Sequence, residues 1–154
     1  MLWTTPQAQC DVVDIVGPGA QLVRDDAANR CDVLPLLGAT DGAITAFEHD
    51  GRRLRPNLVI GGVDSLAYHS WPGKCLRIGG VMIGVQDLRG RCVMTTVDPD
   101  ALQQDLQVLR GIVDKFGGRL AFNCFVIQGG EIRVGDPMKL ITEDACEEID
   151  VRQR

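Results

Sequence analysis

Eighteen glycines punctuate the chain, and the runs between them are short and rich in Val, Ile and Leu: DVVDIV, DVLPLL, NLVIGG, CLRIGG, VMIGV, RCVMTTV, LAFNCFVI, EIRV and MKLI. Glycine interrupts helices and strands alike, so this spacing leaves room for many short elements and few long ones. Short β-prone runs bounded by turn residues predict a mainly-β fold, a sandwich or a barrel. The segment FVIQGGEIRVGDPMKLI is the clearest local case. Gly129 and Gly130 stand between two β-prone runs as a hairpin turn would, and Gly135-Asp136-Pro137 marks a second turn.

One segment breaks the pattern. In DPDALQQDLQVLRGIVDKFGG, Leu102, Leu106, Leu109, Val113 and Phe116 recur at spacings of four and three. That spacing predicts an amphipathic helix over about 99–116. Asp98 would cap its start, Pro99 would occupy the first helical position, and Gly117 or Gly118 would end it. The preceding RCVMTTV reads as a strand that runs straight into this helix.

The length, 154 residues, fits a single domain over 1–154, and 45 % apolar with 24 % charged residues is a globular balance. A net charge of -5 argues against nucleic acid as a partner. No apolar run is long enough to span a bilayer, so no membrane association is expected. The start, MLWTTPQAQCDVV, does not read as a secretory signal. Six cysteines without a C-x-x-C pair are then expected to be reduced thiols in a cytoplasmic protein. The stretch VRDDAANRC reads as a polar loop, and the polar tail after Ile141 is expected to fray.

Two clusters carry chemistry. On a strand, Cys92, Met94 and Thr96 would share one face, and Arg91, Val93 and Thr95 the other. Arg91 and Arg89 would favour a thiolate at Cys92, and thiolate is a soft ligand for a transition metal. The competing reading is a buried cysteine acting as a small hydrophobe. In RRLRPNLVIGG, Arg55 and Asn57 flank a proline that extends the chain into the next strand. Arginine grips phosphate with paired hydrogen bonds, and asparagine offers a donor and an acceptor to a heterocycle. The plainer alternative is a basic loop before an edge strand. His49 and His69 stand alone, no glycine pair forms a phosphate loop with a lysine, and there is no G-x-S-x-G.

Taken in order, RLRPNLVIGG, a tryptophan with LRIGGVMI, RCVMTTVDPD and FVIQGGEIRVGDP resemble the MOSC domain over about residues 31–141. This is the C-terminal domain of molybdenum-cofactor sulfurases, found also in the mitochondrial amidoxime-reducing component and its bacterial relatives. The resemblance implies a β-barrel with at least one helix, and a molybdenum–pterin cofactor. It implies Cys92 as the metal ligand and catalytic residue, with Arg55, Asn57, Arg91, Thr96 and Asn123 around the cofactor. At family level an association with pyridoxal phosphate also exists. The implied reaction is reduction of N-oxygenated compounds with electrons from a separate donor protein.

Departures from the family pattern accompany the match. Longer members carry a preceding barrel that supplies basic residues to the cofactor's phosphate, where this chain has about thirty unplaced residues. An early histidine-glycine-glycine segment is absent, and the serine-rich turn before the RPN strand reads LGATDG, with Thr40 a partial substitute. The alternatives are a pocket completed by a partner or second subunit, or a barrel that carries a cofactor or sulfur without turning it over.

Overall fold

The computed structural model describes residues 5–22 and 34–142. The chain divides into two compact units, Met1–Asp32 and Val33–Arg154.

The first unit contains helix α1 (Pro6–Val16). Thr5 caps it, its hydroxyl accepting the Ala8 N–H at 3.3 Å, and Pro6 takes the first position, where no N–H is needed. The expectation of a strand at DVVDIV is therefore corrected. Capping chemistry at Thr-Pro outweighs the β preference of three valines and an isoleucine. The VRDDAANRC loop lies outside the described residues, as does most of the polar tail.

The second unit is built on one six-stranded sheet. In chain order come β1 (Leu36–Thr40), α2 (Asp41–Phe47), β2 (Leu58–Ile60), β3 (Cys75–Ile78), β4 (Val81–Gly90), α3 (Leu106–Phe116), β5 (Arg119–Gln128) and β6 (Met138–Ile141). The strand order is β2-β1-β5-β4-β3-β6, with β1 and β2 parallel and every other neighbour antiparallel. The long β4 and β5 form the spine, and their register slips at three places. Such bulges bend a strand and sharpen its twist, so the sheet curls into a half-barrel. The mainly-β, barrel-type fold expected from the sequence is the one present.

Three local expectations fail. RCVMTTV is not a strand: β4 ends at Gly90, and Val93–Thr96 is a 3-10 turn. The hydroxyls of Thr95 and Thr96 donate back to the carbonyls of Cys92 (2.7 Å) and Val93 (2.6 Å), a local bonding mode that competes with a sheet ladder. Gly129-Gly130 is not a hairpin turn, because β6 pairs with β3, away from β5. EIRV accordingly lies in the connecting loop, whose second turn, at Gly135 (φ 95°), is where it was expected.

The helix also starts later than its periodicity suggests. Asp105 is the cap, accepting the Gln107 N–H at 2.9 Å, and Gly117 ends α3 in the left-handed region. The buried face is Val108, Ile112 and Phe116, while Leu102 and Leu106 are exposed.

Behind the sheet, Phe122 is fully buried, with Tyr68 at 5.7 Å and Trp71 at 5.4 Å between ring centroids. Gly38 lies under that ring: a β-carbon there would come within 2.2 Å of it. The Tyr68 hydroxyl is also buried and accepts the N–H of Ala121 at 3.3 Å. Ala121 holds φ 73°, so its N–H points out of the ladder and needs this oxygen. Tyr68→Phe should therefore cost about 1–3 kcal/mol, the penalty of an orphaned buried donor. Urea unfolding measures it, and an unchanged midpoint would mean that Ala121 finds another acceptor.

Candidate functional site

The two polar motifs, some forty residues apart in the chain, meet in space. The first enters as a 3-10 turn, Gly51–Leu54, followed by Arg55 in a left-handed conformation (φ 54°) and Pro56, which extends the chain into β2. The second leaves the end of β4 through Arg91 and Cys92 into the Val93–Thr96 turn. Three arginines stitch them together. Arg91 Nη2 donates to the Leu54 carbonyl at 2.9 Å. Arg53 donates to the Thr96 carbonyl at 2.9 Å and to Asp98 Oδ2 at 2.7 Å. Arg52 grips both oxygens of Asp100, at 3.0 and 2.6 Å, while also bonding Asp50.

Cys92 is exposed and its thiol is free. Its carbonyl, and not its sulfur, forms the turn by accepting the N–H (3.1 Å) and hydroxyl of Thr95. Among the other described cysteines Cys10 is likewise free and exposed, while Cys124 and Cys75 differ. Cys124 is a free but fully buried thiol, pushed up to about 12 by burial. Cys75 is disulfide-bonded, which corrects the expectation of six reduced thiols. Pairing depends on how near the fold brings two Cα atoms, and sequence spacing does not carry that.

Arg91 is the most constrained cation. Its backbone N–H donates to the Gly118 carbonyl at 2.9 Å, and its Nε is buried with no partner among the described residues. Burial, with Arg89 as the next cause, pulls it down to about 10, partly offset by Cys92 and Tyr68. It therefore stays charged at neutral pH. A buried N–H left without an acceptor costs about 1–3 kcal/mol, so an anionic acceptor beside it would be stabilised.

The remaining expected residues divide. Arg55 is exposed and its side chain makes no hydrogen bond or ion pair within the described residues; it borders a cavity of about 490 Å³ with Pro56, Ile44 and Val59. Asn57 is committed to the sheet: its side-chain oxygen accepts the Leu37 N–H at 2.8 Å, and its own N–H returns to the Leu37 carbonyl at 2.8 Å. It also edges a second cavity, about 680 Å³, walled by β2 and the loop before β6. Thr96 is buried, its hydroxyl used within the turn. Asn123 is buried on β5, donating to Asp87 at 2.6 Å and accepting from Arg89 at 3.5 Å. Cys92, Arg91 and Arg55 thus belong to one junction, Asn57 and Thr96 brace it, and Asn123 lies along the spine beside Arg89. Sequence reading missed Arg52, Arg53, Asp98 and Asp100. The signal was present as complementary charge, RR in one motif and DPD in the other.

A model of the MOSC domain matches residues 37–139. The chain belongs to the MOSC domain family. Among curated proteins, human mitochondrial amidoxime-reducing component 1 is 36 % identical over 155 residues, covering 88 % of this chain and 44 % of that protein. Human mitochondrial amidoxime reducing component 2 is 30 % identical over 126 residues, covering 70 % and 37 %. This MOSC chain therefore spans less than half the length of these relatives. Among its described residues no helix is long and apolar enough to cross a membrane.

The junction's chemistry suits the family's cofactor. An exposed thiol offers a soft ligand, and Arg91 and Arg55 offer cationic donors for an anionic group. Among the described residues no three His, Cys, Asp or Glu side chains cluster as a metal cage, so any metal at Cys92 would need further ligands from its own cofactor.

The acidic side of the junction sets a pH limit. Asp98 is held below its ordinary 3.8 by the N–H groups of Ala101 and Asp100, with Arg53 adding to the effect. Asp50 is lowered by its bonds to Arg52, and Asp41 by the N–H groups of Gly62 and Val63. A carboxylate depressed in the folded state stabilises above its unfolded value and loses that contribution as pH falls through the folded one. Stability should therefore be flat from neutral pH to about 5 on account of these groups, then fall below about 3.8. Urea midpoints taken between pH 7 and pH 2.5 measure this, and a fall centred above pH 5 would assign the acid limit to other groups.

Proposed function

We propose that this MOSC chain binds a molybdenum–pterin cofactor through Cys92 and serves as an oxidoreductase that removes oxygen from N-oxygenated substrates. The observation that carries the reading is the junction itself, where Arg91, next to Cys92 in the chain, is bonded to the turn that presents Arg55. The relatives' names point to amidoxime reduction, and the proposed substrate class follows from them.

In this reading the Cys92 thiolate is the protein's ligand to the metal. Arg55, without a partner among the described residues, binds the cofactor's anionic part. Arg91 keeps its charge at neutral pH and turns its unpartnered N–H toward that negative charge. Asn57, Thr96 and Asn123, engaged within the fold, would fix the pocket's walls and contribute through position. When bound, the cofactor supplies two-electron oxygen-atom chemistry, and the protein supplies placement and charge. Electrons come from a separate donor protein, and a partner or second copy supplies further cations for the phosphate.

A second reading, a MOSC module that carries cofactor or sulfur without turnover, draws on the exposure of Cys92 and of Val93 and Met94 beside it. One experiment separates them: metal and pterin analysis of the chain purified from a cofactor-producing host, followed by reduction of an N-hydroxylated amidine with a low-potential chemical reductant supplying the two electrons. Near-stoichiometric molybdenum with substrate reduction supports the first reading. Bound cofactor without reduction supports the second, and a folded chain lacking both metal and pterin overturns the first and leaves only sulfur carriage in the second.

A further inference from the structure

We propose that Arg53 is the positioning residue of this junction, fixing the distance between the Cys92 turn and the backbone at Arg55. The inference rests on the cofactor reading for its purpose, but its geometry stands alone.

Arg53 differs from its neighbours on the same turn. Its side chain is only 10 % exposed, against 58 % for Arg52. Its two terminal nitrogens serve two different parts of the second motif. One holds the Thr96 carbonyl, at the end of the turn that Cys92 begins; the other holds Asp98 Oδ2, at the start of the next loop. Asp98 is itself fixed, its Oδ1 accepting the N–H groups of Asp100 (3.0 Å) and Ala101 (2.8 Å), and its carbonyl accepting that of Leu102. The Thr96 carbonyl also accepts the Asp105 N–H at 2.9 Å, the residue that caps α3. One planar guanidinium thus ties the Cys92 turn and the DPD loop to the segment that carries Arg55 two residues later. Lysine, a single point donor on a flexible stem, cannot hold both oxygens in that fixed fork.

Position is the quantity to measure, and it is readable without cofactor. In the full chain carrying Cys10→Ser, Arg55→Cys and a serine at whichever of Cys31 and Cys146 does not pair with Cys75, nitroxide labels are placed at positions 55 and 92, with peptide mapping to confirm them. Pulsed electron–electron resonance then gives the distribution of distances. A narrow distribution is expected with Arg53 present, and the same with Arg52→Gln. Arg53→Gln should broaden it about twofold, with Arg53→Lys still clearly wider than the parent, because the two-pronged hold is lost. If Arg53→Gln fails to unfold cooperatively, Asp98→Asn, which breaks the same bond from the other side, takes its place. An unbroadened distribution in the folded variant overturns the proposal. Molybdenum content of the unlabelled chain is measured separately. Its absence would sink the cofactor reading and leave the distance result to decide the role of Arg53.

Discussion

If Cys92 is the ligand we propose, a Cys92→Ser chain is expected to fold normally and to retain no molybdenum. The first half of that result follows from the turn's construction. The structural work at position 92 is done by the backbone carbonyl, which serine retains, while the side chain stands exposed. Exposed substitutions that break no such bond usually fall within about 0.5 kcal/mol. The second half follows from ligand chemistry. A serine oxygen is a hard, weakly acidic donor and a poor replacement for a soft thiolate. Metal content per chain, by mass spectrometry after gel filtration, should drop to the level of a cofactor-deficient host. Cys124→Ser is the matched control, since that thiol is buried and remote from ionisation at neutral pH. Equal metal in Cys92→Ser and the parent would remove Cys92 as the ligand.

Phe122→Ala should cost about 3–5 kcal/mol, a large part of the roughly 5–15 kcal/mol that a domain of this kind possesses. The ring is fully buried, bounded by Tyr68 and Trp71, and seated on the bare backbone of Gly38. The sheet cannot collapse into the void, because β5 is pinned by β1 on one side and β4 on the other. The denaturation midpoint should fall steeply with an unchanged slope. A loss below about 1 kcal/mol would mean that neighbouring rings refill the space and that the core is looser than it looks.

How much of this was legible beforehand depended on the kind of signal. The strands were visible in part as short Val/Ile/Leu runs, since six of the named runs overlap β1 to β6 and contain β2, β3 and β6 whole. Pairing was not visible, because Gly129-Gly130 looks like a turn whether β6 returns to β5 or crosses to β3. The helix was found but misplaced: the sequence holds two overlapping stripes, and Asp98 does cap a turn, though a single one. Leu102 then enters the left-handed region (φ 57°) and the chain folds back, bridging Val97 to Gln104, before Asp105 starts α3. Cys92, Arg91 and Arg55 were found from residue type and family pattern. Arg53 was passed over because a buried arginine reads the same as a surface one until its partners are known.

The arginine stitching also bears on when the site comes into being. Its bonds join positions 37, 45 and 48 residues apart. Loop-closure entropy opposes such contacts until something else has brought their ends near. Here that is the sheet, since β1 links β2 to β5, and β5 links on to β4. The thiol therefore reaches its place late in folding, after the central strands have aligned. A nascent or partly unfolded chain would present Cys92 with no arginine framework around it, and a cofactor would meet its receptor only in the finished molecule.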